Sequence, residues 1–208
     1  MKNVKELFLE FFGTFWLTMT VAGAVLANVG VVGIALSLGL GVAALLYATG
    51  KYGAGHYNPA ITVGMWAAKK IDAVKGIKYI AAQLIGGVFA ALILGMFFTN
   101  AAAGNYGATI LASGVGFWQG LLIETILTMF LVFTVLETDA AHAPIAIGFV
   151  LAFDVFLGGG LTGASMNPAR SFGPALLSGM WKSHMVFWIG PVIGSLVAVG
   201  LHRFYSKK

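Results

Sequence analysis

Apolar residues fall in six long runs along the chain, at about 5–27, 30–50, 76–99, 115–137, 143–160 and 183–204. Most of these runs reach the roughly 20 residues that a helix needs to cross a bilayer. Two shorter apolar stretches, about 58–69 and 167–178, are too short to cross. Each of them opens on Asn-Pro-Ala: Asn58, Pro59 and Ala60 in one, Asn167, Pro168 and Ala169 in the other. Asparagine suits an N-cap and proline the first helical position, so each stretch predicts an extended approach turning into a short re-entrant helix. The order span, span, half-helix, span occurs twice, over about 5–99 and 115–204. Three spans precede the second block, so it enters the membrane from the opposite side. The fold class expected is therefore all-α and membrane-embedded: one domain over 1–208, six spans and two half-helices in an inverted repeat.

Composition agrees with that pattern. Charged residues make up 9% and hydrophobic ones 59%, with a mean hydropathy of +0.92, which separates the chain from soluble domains. A β-barrel would show shorter alternating segments. The absence of Cys removes disulfides, thiolate metal sites and a cysteine nucleophile. The net charge of +5 does not point to nucleic acid, because the basic residues sit at segment ends. With the N-terminus inside, Lys2, Lys5, Lys51, Lys69, Lys70, Lys75, Lys78, Arg203, Lys207 and Lys208 all lie inside; only Arg170 and Lys182 do not. That bias predicts cytoplasmic termini. The first run begins like a signal peptide but has no small-residue cleavage site, so a retained span is expected. Short tails around a compact chain suggest a cell (plasma or inner) membrane.

Several polar residues interrupt the apolar runs. Glu10 and Glu124 hold matching places in the two halves, and a carboxylate in hydrocarbon costs about 2.5–3.5 kcal/mol without a partner. They are expected to accept hydrogen bonds from backbone N–H groups of the re-entrant loops, which nothing else at that depth would satisfy. Gln83 is given a similar supporting role. Asp154 has no counterpart in the first half; lining a pore, facing another subunit and bonding locally near Gly158–Gly160 are its three options. His142 lies in a short loop, where a solvated histidine competes with a pH sensor. His184 and His202 fall at interfaces. Gly33, Ser37 and Gly41, and Gly86 with Ala90, are spaced for close helix packing.

Taken together, Gly55-His56-Tyr57-Asn58-Pro59-Ala60-Ile61-Thr62, Met166-Asn167-Pro168-Ala169-Arg170-Ser171-Phe172-Gly173-Pro174-Ala175, Glu10, Glu124, Gln83 and Phe187-Trp188-Ile189-Gly190-Pro191 resemble the aquaporin (major intrinsic protein) family over nearly the whole chain. The resemblance implies a pore in each subunit of a homotetramer within the lipid bilayer, passing water and small neutral solutes such as ammonia or hydrogen peroxide. The half-helices would meet N-terminus to N-terminus, a positive region that rejects cations and hydronium. Backbone carbonyls of Gly55, His56, Tyr57, Gly163, Ala164 and Ser165 would line the route. Counting by the family's spacing places a selectivity filter at Leu38, Val155, Ala164 and Arg170; a one-residue slip would bring in Asp154. Water channels of the family usually carry an aromatic and a histidine where Leu38 and Val155 fall, whereas Ser171, Ala175 and Phe187-Trp188 resemble the water branch.

Water conduction is the leading expectation and a glycerol or polyol facilitator its rival. An ion-coupled transporter would need acidic groups at the half-helix junction, where Asn, Pro and Ala stand. An enzyme is not expected: no Ser/His pair at helical spacing in a span, no His-Glu-x-x-His and no carboxylate dyad is present. No cofactor, metal or nucleic-acid partner is expected.

Overall fold

The computed structural model describes residues 2–53 and 55–206. Lys207, Lys208 and the side chain of Lys2, counted above among the terminal charges, lie outside the described residues. Eight α-helices and two short 3-10 turns make up the regular structure, and there is no strand among the described residues. The helices are α1 (Lys2–Leu26), α2 (Gly30–Thr49), α3 (Pro59–Ala67), α4 (Ala73–Phe97), α5 (Phe117–Glu137), α6 (Ala143–Thr162), α7 (Pro168–Ser178) and α8 (Val186–Ser206). All but α3 and α7 are long and apolar enough to cross a membrane.

Within each half the first span packs on the last, α1 on α4 and α5 on α8. The halves are knit by α2 against α6 and by exchange of the short helices: α3 lies chiefly against α8, and α7 against α4. Ser195 of α8 donates its hydroxyl to the Ala60 carbonyl of α3 at 2.7 Å. Close approach explains several small residues. A side chain at Gly39 would bring its Cβ within 2.6 Å of the Gly148 carbonyl oxygen, and one at Gly148 the same distance from that of Gly39, so α2 and α6 touch backbone to backbone. Gly41 and Ser37 meet Thr20 of α1, and Gly86 meets the Phe11 backbone. At Gly33 the nearest atoms belong instead to Val29 of the same chain segment.

The boundaries differ from the expected ones for local reasons. Helix α4 starts three residues earlier than the apolar run because Asp72 caps it, accepting the Lys75 N–H at 2.8 Å. Helix α3 ends at Ala67, and Lys69 just beyond it is left-handed at φ 61°. Helix α6 runs through Gly158–Gly160 and ends on Gly163, left-handed at φ 83°, as an αL cap. One end of the bundle carries the start of α1 and the end of α8. There Lys75 pairs with Glu6 at 2.8 Å, His202 with Glu137 at 2.7 Å, and Arg203 donates to the Ala67 carbonyl.

Candidate functional site

The two Asn-Pro-Ala turns meet inside the bundle. Asn58 is extended (φ −159°, ψ 121°) and its Oδ1 accepts the Ala60 N–H at 2.8 Å. Asn167 does the same for α7, accepting from Ala169 at 3.0 Å and Arg170 at 3.3 Å. With Oδ1 committed to the cap, each amide turns its nitrogen to the other half. Asn58 Nδ2 donates to the Met166 carbonyl at 2.7 Å, and Asn167 Nδ2 donates to the Tyr57 carbonyl at 2.9 Å. A side-chain amide has two N–H groups, so one on each asparagine is left over beside the cavity that both residues line.

Tyr57 and Met166, the residues just before each asparagine, are left-handed at φ 51° and 52°. Such a conformation costs on the order of 1–3 kcal/mol in a residue other than glycine, and surrounding structure has to hold it. The buried carboxylates supply that hold. Glu10 Oε1 accepts Gly55 N–H and His56 N–H, both at 2.9 Å, and Oε2 accepts Tyr57 N–H at 2.7 Å and Gln83 Nε2 at 2.6 Å. Glu124 accepts Thr162 Oγ1 at 2.7 Å, Ser165 N–H at 2.9 Å and Met166 N–H at 2.7 Å. Gln83 also donates to Thr62 Oγ1 at 2.9 Å, and Thr62 in turn donates to the Asn58 carbonyl.

The cavity between the turns has about 30 Å³ of room for water-sized molecules, against the 10–15 Å³ or so that one water requires. Its polar wall is made by Gly55, His56, Tyr57, Asn58, Ser165, Asn167 and Arg170. Facing them is an apolar wall including Leu17, Val21, Leu38, Val42, Leu131 and Leu151. Of the four filter candidates, Leu38, Ala164 and Arg170 lie on this cavity. Val155 is buried but is not among the lining residues; the α6 side chains there are Ile147 and Leu151, two turns and one turn earlier. Gly163 is also off the lining, because it serves as the α6 cap and packs against Thr109. Arg170 is 2% exposed, and its Nη1 donates to the Gly107 carbonyl at 2.9 Å. The N-termini of α3 and α7 both face this space, adding partial positive charge.

Asp154 does not bond locally near Gly158–Gly160. It is wholly buried, lies off the cavity, and neither carboxyl oxygen has a hydrogen-bond partner among the described residues. His142 is exposed and pairs with Asp139 at 2.9 Å, a contact that holds the Asp139 carboxyl below its usual range. Sequence reasoning missed the groups that the connector between the halves brings to the site. Gly107 and Thr109 approach Arg170 and Ser171 from more than sixty positions away, and no local motif signals it.

Comparison with known proteins agrees with this arrangement. The sequence matches the family model of the major intrinsic proteins over residues 1–202. Human aquaporin-4 is 40% identical over 178 residues, covering 82% of this chain and 55% of that protein. A probable aquaporin of rice, TIP1-2, is 42% identical over 152 residues, covering 69% and 59%. The chain thus spans little more than half the length of these two relatives. The structure of the aquaglyceroporin from Plasmodium falciparum superposes with a TM-score of 0.82 over 99% of this chain and 96% of that one; at 24% identity the likeness concerns the fold. With its six spans, paired half-helices and near-complete family match, this chain belongs to the major intrinsic protein family.

Proposed function

We propose that the protein is a passive channel for water and small neutral solutes that excludes protons and ions. The observation that carries this is the pair of asparagine amides. Each has its oxygen held in a helix cap and one N–H held by the opposite loop, so only donors face the cavity. A water oxygen is welcomed there. A cation, stripped of its shell beside two helix N-termini and Arg170, finds no acceptor among those amides, as in aquaporin-type pores generally. The names of human aquaporin-4 and the rice relative point the same way.

Within this proposal Leu38, Val155, Ala164 and Arg170 form the filter, Gly55, His56, Tyr57, Gly163, Ala164 and Ser165 offer carbonyls along the route, and Glu10, Glu124 and Gln83 hold the loops. The bias of ten of the twelve basic residues to one side supports cytoplasmic termini; a cell (plasma or inner) membrane and a homotetramer belong to the same reading. A second reading, a glycerol or polyol facilitator, is favoured by the apolar wall of leucines and valines, which suits a carbon backbone. Light scattering from proteoliposomes separates the two. Fast water flux with slow glycerol uptake supports the water channel; equal rates reject water selectivity, and no flux above empty vesicles rejects both.

A further inference from the structure

The connector 98–116, an uncharged link by sequence, reaches deep into the molecule. Thr109, Ser171 and Ser165 form a chain of hydroxyls: Thr109 Oγ1 to Ser171 Oγ at 2.6 Å, and Ser171 Oγ to Ser165 Oγ at 2.5 Å. Ser165 then donates to the Asn167 carbonyl at 3.0 Å. Each hydroxyl has one proton, which fixes the direction. Ser165 has spent its proton on Asn167, so it accepts from Ser171; Ser171 in turn accepts from Thr109. All three side chains are buried, with exposures of 4, 0 and 4% for Thr109, Ser171 and Ser165, so bulk water does not compete for these bonds.

The same strap is anchored on both sides of Thr109. Two residues earlier, the Gly107 carbonyl holds Arg170. Gly107 is left-handed at φ 70°, and a side chain there would bring its Cβ within 2.7 Å of Ala22 in α1. Three residues later, the Ala112 N–H donates to the Leu161 carbonyl at 2.9 Å. Thr109 is also the nearest contact to Gly163, next to Ala164 on the cavity wall.

We propose that Thr109 is a positioning residue for solute selection: its hydroxyl, acting through Ser171 and Ser165, fixes the Ala164–Arg170 wall of the pore. The inference rests on the channel reading above. Without the Thr109 proton the strap loses its central tie, and Arg170 and Ala164 gain freedom to move apart.

The test uses the full chain in proteoliposomes, comparing wild type with Thr109→Val, Thr109→Ser, Ser171→Ala and the Thr109→Val/Ser171→Ala double variant. Valine keeps the branched shape and removes the hydroxyl. Thr109→Val is expected to raise the glycerol-to-water permeability ratio about fivefold, the effect of one buried hydrogen bond. Serine should restore the wild-type ratio, and the double variant should match a single one, because the residues act as one unit. An unchanged ratio in Thr109→Val, or a serine variant that behaves like valine, overturns the proposal, even if melting in detergent shows lowered stability. Hydrogen–deuterium exchange of residues 105–112 decides without transport: faster exchange in valine but not serine supports the strap, and equal exchange rejects it. Wild-type vesicles without water flux would defeat the channel reading alone.

Discussion

Glu10 accepts the backbone N–H of Tyr57 at 2.7 Å, and the carbonyl of that same Tyr57 takes the amide of Asn167 at 2.9 Å. A carboxylate in the first span is thus two hydrogen bonds from the asparagine of the opposite half. Glu10 receives four donors, two on each oxygen. Glutamine in its place always sets its own NH₂ against two of them. Glu10→Gln is expected to destabilise the protein by about 2–3 kcal/mol, read as a lowered melting temperature in detergent; an unchanged melt would remove the carboxylate from its supporting role.

Arg170→Val should widen the pore and remove its fixed positive charge. Uptake of glycerol and leakage of monovalent cations are both expected to rise by about tenfold or more, within the roughly 1–3 kcal/mol that separates good from poor pocket discrimination. Vesicles that swell in glycerol no faster than wild type, and stay ion-tight, would place the constriction elsewhere.

Leu38 faces the cavity, whereas Val155 sits one turn beyond the lining residue Leu151. Leu38→Phe alone should therefore cut glycerol passage relative to water, and adding Val155→His should cut it further only if the constriction extends past this cavity. Stopped-flow ratios for the single and double variants measure both steps. A Leu38→Phe ratio equal to wild type would show that this side chain does not meet the solute.

His184 lies between α7 and α8, where burial holds its imidazole below its ordinary value. Its Nε2 accepts the Trp188 indole N–H at 3.1 Å. The folded protein therefore binds this proton less readily than the unfolded chain. The stability contribution is complete above the unfolded value of about 6.5 and is lost as pH falls below it. Melting temperature should drop between about pH 7 and 5 more for wild type than for His184→Gln, which keeps an acceptor but does not titrate; parallel curves would refute this.

Spans and half-helices were legible because each carries its own local physics: length and hydropathy for the six, an asparagine cap followed by proline for α3 and α7. The start of α4 was not, although Asp72 signals it, because the apolar run begins later than the cap. Counting along the chain brought Leu38, Ala164 and Arg170 to one cavity and left Val155 and Gly163 off its lining. Val155 shares a face of α6 with the lining residues Ile147 and Leu151, so its depth along the helix axis rather than its direction puts it beyond this cavity, and counting does not give that depth. The cross-bonds between Asn58 and Met166, and between Arg170 and Gly107, join distant parts of the chain and have no sequence signature.

The exchange of short helices has a consequence for biogenesis. Helix α3 is made early, yet the surface it chiefly rests on belongs to α8, which follows the seven other helices in chain order. Until then its carbonyl at Ala60 lacks Ser195 and its far end lacks Arg203. The first re-entrant turn therefore completes its packing only once α8 has been made, which ties maturation of the pore to the synthesis of that helix.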